Sequence, residues 1–212
     1  MQLYSFFNSS SSYRMRIALV LKGLKPDYVG VNIRVKEHCK DGYVAFNPSA
    51  SLPALMDGEV ELGQSLAIID YLDATHPEPC LIPEDPVLRA HALELAYAVS
   101  CDIHPVNNTR VLGYLSNVLQ LSEEQKTAWY RHWVQDGMAA VERLLVKNGQ
   151  GAYCFGDVPG IADCCLVPQI ANAMRMGCPM QDFPRAMAVY AHCMNHLAFQ
   201  AAAPAQQPDF IQ

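Results

Sequence analysis

No apolar run in this 212-residue chain approaches 18 residues, so no segment reads as a membrane span. Charge is scarce too. Only 17% of residues are charged, and 15 basic against 21 acidic residues leave a net charge of −6. A phosphate-tracking surface needs clustered Lys and Arg, so the balance argues against a general nucleic-acid binder. The opening Met1-Gln2-Leu3-Tyr4-Ser5 lacks a basic region followed by an apolar one, which is the pattern of a cytoplasmic rather than a secreted chain. None of the eight cysteines forms a C-x-x-C pair, which excludes zinc-ribbon and thioredoxin-type redox motifs. A cytosolic chain of this size needs no disulfide staples. His192 and His196 stand four apart, but the Glu of an H-E-x-x-H metal motif is missing between them, so no metal is expected. Internal repeats and low-complexity segments are likewise absent.

What is present is enough to fold: 51% of the residues are apolar. Residues 1–75 alternate in type. Leu3–Phe7 reads as a strand, Tyr13–Lys22 as a helix stopped by Gly23, and Tyr28–Ile33 as a second strand. Asn47–Pro53 is polar and broken by prolines. A hairpin turning at Asp57-Gly58 and a helix over Gln64–Asp73 follow. The order is that of a small α/β domain with one mixed sheet. Between 76 and 86 lie Pro77, Pro79, Pro83 and Pro86, which read as a semi-rigid linker. Beyond it the periodicity is helical over about 87–119, 123–147, 161–176 and 184–199, giving an all-α domain over 87–212.

The run Ser9–Ser12 falls between the first strand and the first helix. Free backbone N–H groups and the helix dipole there favour an anion, and a thiolate is one anion that gains from this. The alternative is a single N-capping serine within a flexible turn. Further on, Ser51-Leu52-Pro53-Ala54-Leu55 leads into the hairpin with a proline suited to a cis peptide, and Gln64-Ser65 opens the next helix. Together these segments resemble the glutathione site of the glutathione transferase superfamily, a thioredoxin-like domain followed by an all-helical one.

Within it the chain is similar to the zeta class, the maleylacetoacetate isomerase family. Five segments carry the likeness in order: Ser9–Leu19, Asn47–Leu55, Gln64–Leu72, Cys101–Asn108 and Gly156–Gln169, with a terminal Gln207-Pro208-Asp209. The Cys101–Asn108 segment is also that of the bacterial maleylpyruvate isomerases. The resemblance implies glutathione as cofactor, with Ser9, Ser10 and Ser11 around its sulfur. Leu52, before Pro53, would pair with the cysteinyl unit, Gln64 and Ser65 with the γ-glutamyl end, and His38 would approach the glycyl end. Asp102 and Asn108 would either line the pocket or make interhelical and dimer contacts, and His104 would meet either glutathione or the facing subunit. It also implies a homodimer and a dicarboxylate substrate, a cis-enone isomerised by reversible thiolate addition. Asn8 stands where relatives often place an Arg, which leaves Arg110 and Arg175 to hold the carboxylates; surface ion pairs are the alternative for both. Ser11 replaces a frequent Cys, and Gly160 a usual Thr or Ser helix cap. Maleylacetoacetate is the expected substrate. Maleylpyruvate and a glutathione-binding role with little turnover stay open.

Overall fold

A computed structural model describes residues 1–211. They form two compact units, residues 1–82 with 194–211 and residues 83–193. The first unit opens with β1 (Gln2–Ser5), α1 (Ser10–Leu21) and β2 (Asp27–Gly30). α2 (Asp41–Phe46), β3 (Ala54–Asp57), β4 (Val60–Gly63) and α3 (Ser65–Thr75) follow. The sheet runs β2-β1-β3-β4; β1 and β2 are parallel, and the other two pairings are antiparallel. A parallel pair requires a crossover, which α1 supplies. Its core is Leu3, Met15, Ile17, Leu55, Ile68, Ile69 and Leu72, all buried. Burial of each such side chain contributes about 1.5–3 kcal/mol.

The division differs from the expected one at both ends of the helical part. Residues 76–82 of the expected semi-rigid linker belong to the first unit and are fastened to it. Lys22 Nζ donates to the carbonyls of His76 (2.7 Å) and Pro79 (2.9 Å), and Asp73 accepts from the N–H groups of Leu81 and Ile82. The C-terminal residues return to the first unit for equally specific reasons. Arg16 Nε donates to Ala202 O at 2.9 Å, and Tyr13 Oη to Phe199 O at 3.1 Å. Asp209 accepts from Phe7 N at 3.0 Å and from Tyr28 Oη at 2.6 Å. Gly30 makes room for this, since a Cβ there would stand 3.2 Å from that of Asp209.

The second unit contains α4 (Pro86–Tyr97), α5 (Thr109–Asn117), α6 (Glu123–Asn148), α7 (Ile161–Arg175) and α8 (Pro184–Cys193). The continuous helix expected over 87–119 is interrupted. After α4 the chain widens into a π-helical segment over Ala98–Ile103 and a 3₁₀ turn over Pro105–Asn107, and Asn108 then caps α5. Pro105 has no N–H to continue the ladder. Ile103 of the widened segment sits so close to α6 that a Cβ on Gly137 would clash with its side chain. The stretch 184–199 also divides. His196 Nδ1 accepts from Ala198 N at 3.1 Å and caps α9 (Leu197–Ala201), so His192 and His196 lie on different helices.

Candidate functional site

In the first unit the sequence-predicted residues gather at two helix N-termini. α1 begins three residues earlier than expected because Ser9 is its cap: Ser9 Oγ accepts from Ser12 N at 3.2 Å. The carbonyl of Ser9 takes the N–H of Tyr13. Among the described residues, nothing accepts from the N–H groups of Ser10 and Ser11, so two donors stand open at the positive end of the helix dipole.

The three hydroxyls are not equivalent. Ser11 Oγ donates to Leu52 O at 2.8 Å, since a carbonyl can only accept. Ser11 and Ser9 are also in contact, Oγ to Oγ 3.2 Å. With the Ser11 proton committed, Ser9 is the donor in that pair. The chain Ser9 → Ser11 → Leu52 thus uses two hydroxyl protons, while Ser10 Oγ has no partner among the described residues. The same bond joins the serine turn to the loop before Pro53, whose Leu52–Pro53 peptide is cis. Tyr43 Oη (2.6 Å) and Asn47 Nδ2 (2.8 Å) fasten that loop by donating to Ser51 O.

At the second N-terminus, Gln64 caps α3 with φ of +64° and makes no side-chain cap bond. A non-glycine residue held in this region is costly and is found at ligand clamps. Ser65 follows, buried, and accepts from Arg14 Nη1 at 2.8 Å. His38 is half-buried on a 3₁₀ turn, and its Nδ1 is buried without a partner. Burial, then Lys36, pushes its pKa below the usual histidine value.

The second unit holds the remaining candidates. Asn108 is the cap of α5, its Oδ1 accepting from Arg110 N at 3.2 Å. Arg110 is exposed and without an ion-pair partner among the described residues. Arg175, in the last turn of α7, is exposed and donates to Asn172 Oδ1; it has no carboxylate partner either. Asp102 is exposed in the π-helical segment and lines a concavity of about 490 Å³ with Arg143 and Lys147. His104 is half-buried and follows that segment. Asn8 is half-buried just before the Ser9 cap.

A family model for the glutathione S-transferase N-terminal domain matches residues 3–80. The chain is 45% identical to maleylacetoacetate isomerase of Pseudomonas aeruginosa over 212 residues, covering 99% of this chain and 98% of that one. The holo structure of maleylpyruvate isomerase, a bacterial zeta-class glutathione S-transferase, matches with TM-score 0.96 at 44% identity over 100% of both chains. The chain belongs to the zeta class of glutathione S-transferases. A third relative, maleylacetoacetate isomerase from Anaeromyxobacter dehalogenans, has bound dicarboxyethyl glutathione and citrate in its active site. It matches with TM-score 0.89 at 36% identity over 100% of this chain and 97% of that one. The thioredoxin-like and all-helical fold is that of the class.

This zeta-class chain departs from the family pattern at Gly160 without losing the helix start. Asp163 Oδ2 accepts from Gly160 N, and its Oδ1 from Cys154 N, both at 2.9 Å. Sequence reasoning missed two residues of the first unit. Arg14 and Arg16 are charged residues among apolar positions of α1, yet both are buried, at 3% and 4% exposure. Arg16 donates to Ser5 Oγ and to the carbonyls of Phe6, Phe7 and Ala202, and burial lowers its pKa to about 10. The available signal was an R-x-R pair directly followed by the apolar run Ile17–Leu21.

Proposed function

We propose that this protein is a glutathione-dependent cis–trans isomerase that converts maleylacetoacetate to fumarylacetoacetate. The observation that carries it is full-length identity of 44–45% to two isomerases of this chemistry, in a chain whose α1 N-terminus holds open donors for an anion.

The residues present fit glutathione. The N–H groups of Ser10 and Ser11, with the Ser10 hydroxyl, stabilise a thiolate and keep its pKa low. Leu52 offers its backbone N–H to the cysteinyl unit. Gln64 and Ser65 take the γ-glutamyl end, whose carboxylate suits the N-terminus of α3. His38, with an unsatisfied buried nitrogen, serves the glycyl end. Bound glutathione supplies a thiolate that adds to the cis double bond and leaves after rotation. Arg110 and Arg175 hold the substrate carboxylates, because a guanidinium grips a carboxylate bidentately. Asn8 adds a hydrogen-bonding group where relatives often have a charge. Asp102, His104 and Asn108 serve the cofactor side or a facing subunit of a homodimer. No described helix is long and apolar enough to cross a membrane, and the reading is of a cytoplasmic enzyme.

Maleylpyruvate is the second reading, favoured by the full-length match to an enzyme of that name. The test is kcat/KM on both cis acids with and without glutathione. Isomerisation that needs glutathione and runs faster on maleylacetoacetate is expected. Faster turnover of maleylpyruvate would move the assignment to the second reading. Equal rates without glutathione would end both.

A further inference from the structure

Phe6 and Phe7 carry the chain from β1 to Asn8 and the Ser9 cap, and both are buried. A cation lies over them. The guanidinium carbon of Arg34 stands 5.7 Å from the ring centre of Phe6 and 5.3 Å from that of Phe7. Arg34 is exposed, and no carboxylate pairs with it among the described residues. No described residue accepts from its guanidinium either; only its backbone N–H is used, on Asn32 Oδ1 at 2.9 Å. A guanidinium laid over rings spends its face on them and keeps its N–H donors at the edge. The protein thus orients a planar donor fork and leaves it open.

The backbone beneath Arg34 is fixed as well. It belongs to a 3₁₀ turn over Ile33–Val35 capped by Asn32, whose own N–H donates to Glu37 Oε2 at 2.7 Å. Lys36 closes the turn at a φ of +57°, which a non-glycine residue keeps only where its surroundings hold it. Topology then places this turn. β1 and β2 are parallel, so their carboxyl ends share one edge of the sheet, where Val31 N donates to Ser5 O at 2.8 Å. Open α/β sheets take their ligands beyond that edge. The serine turn leaves it from β1, and the Arg34 turn leaves it from β2.

We propose that Arg34 is a third substrate cation beside Arg110 and Arg175, and that it holds the carboxylate attached to the cis double bond. The proposal rests on the reading of the α1 N-terminus as the thiolate site and of a cis-enone acid as the substrate. Chemistry selects that carboxylate. The sulfur bonds to the alkene carbon β to the ketone, and the electron pair of the double bond moves on to the ketone oxygen as an enolate. The attacked carbon bears the carboxylate, which therefore lies two bonds from sulfur whatever the length of the keto chain. A cation for it has to stand beside the serine turn. Asn8 is uncharged there. Arg16 also reaches Phe6 and Phe7, but it is buried and spends its donors on Ser5, Phe6, Phe7 and Ala202. Arg34 is exposed with its donors free. Gripped by it, the acid end stays fixed while the keto end swings about the new single bond.

The test uses maleylacetone, whose one carboxylate is that on the double bond, and its methyl ester, in which the charge is masked. kcat/KM for glutathione-dependent isomerisation is measured on both, for full-length wild type and Arg34→Gln. The intrinsic reactivity of the ester cancels when the acid-over-ester preference is compared between enzymes. Wild type is expected to prefer the acid. Arg34→Gln should lose about tenfold or more of that preference, the usual scale for a hydrogen bond to a charged group. Arg34→Lys, which keeps the charge without the paired donors, should retain part of it and carries the comparison if the Gln variant does not fold. Glutathione affinity by calorimetry should not change in either variant. An unchanged preference overturns the proposal, and so does an equal loss on acid and ester, the mark of a structural arginine. A tenfold loss of glutathione affinity overturns it too, by putting Arg34 on the cofactor. In all three cases wild type still isomerises the acid with glutathione, and only the role of Arg34 falls. Wild type that isomerises neither compound overturns the underlying reading as well.

Discussion

Three consecutive serines occupy one helical turn yet can do different things, because their protons are committed differently. Ser9 is tied to the fold, its oxygen on Ser12 N and its proton on Ser11. Ser9→Ala should cost about 1 kcal/mol of stability through the lost cap, read from denaturant midpoints. Ser10→Ala removes a hydroxyl that no described residue uses, so stability should hold. The thiol of bound glutathione should then titrate at higher pH, measured by thiolate absorbance. If Ser10→Ala leaves that midpoint in place while Ser11→Ala raises it, the assignment of donors is reversed. The serine run was legible in the sequence as the end of a helix able to favour an anion. Which serine is free was not legible. That depends on the carbonyl of Leu52, 41 residues away, to which Ser11 donates. Arg14 escaped for a related reason: periodicity marks positions as apolar or polar, and a buried guanidinium violates the pattern it sits in.

At the scale of elements, strands and helices with strong local signals were readable, and the joints between them were not. The β3–β4 hairpin, which turns at Gly58-Glu59, one residue later than expected, and the helices opening at Glu123 and Ile161 follow from turn chemistry and capping. The π-helical segment after α4 does not. It is packed through the close approach of Ile103 to Gly137, a contact between distant parts of the chain. The stretch 76–82 misled for the opposite reason. Its prolines suggest a semi-rigid linker, but Lys22 and Asp73 pin it to the ends of α1 and α3. Lys22 Nζ has 0% side-chain exposure and uses its three donors on Asp73 and two carbonyls. Asp73→Ala would leave that ammonium buried without its counter-ion and two backbone N–H groups unpaired. The expected cost is about 3–5 kcal/mol, measured by denaturant unfolding. A loss under 1 kcal/mol would mean that water reaches the site and the stretch is a linker after all.

For the whole molecule, the two candidate substrate cations, Arg110 and Arg175, both belong to the helical unit, residues 83–193. The net charge of −6 makes those cations informative. A dianionic substrate is repelled by the average surface, so an arginine without a carboxylate partner is a local exception. Arg175 and Arg110 are both of this kind, and Arg175 is the better held, its guanidinium donating to Asn172 while Asn172 Nδ2 donates to Tyr130 Oη at 2.6 Å. Burial pushes the Tyr130 pKa up to about 12, so it stays a neutral hydroxyl beside the arginine at physiological pH. Arg175→Ala should raise KM for the cis acid about tenfold or more, given 1.5–3 kcal/mol for a hydrogen bond to a charged group. If the grip is equal in ground and transition states, kcat changes less. Arg110→Ala should act in the same direction, more weakly, because among the described residues none orients its guanidinium. Glutathione affinity and the pKa of its bound thiol should not move in either variant, since neither arginine is assigned to the cofactor. That invariance separates a substrate anchor from a residue that merely supports the helical unit, whose loss would lower stability as well. An Arg175→Ala enzyme with wild-type kcat/KM on both cis acids would place the carboxylates elsewhere, with Arg110 as the remaining candidate.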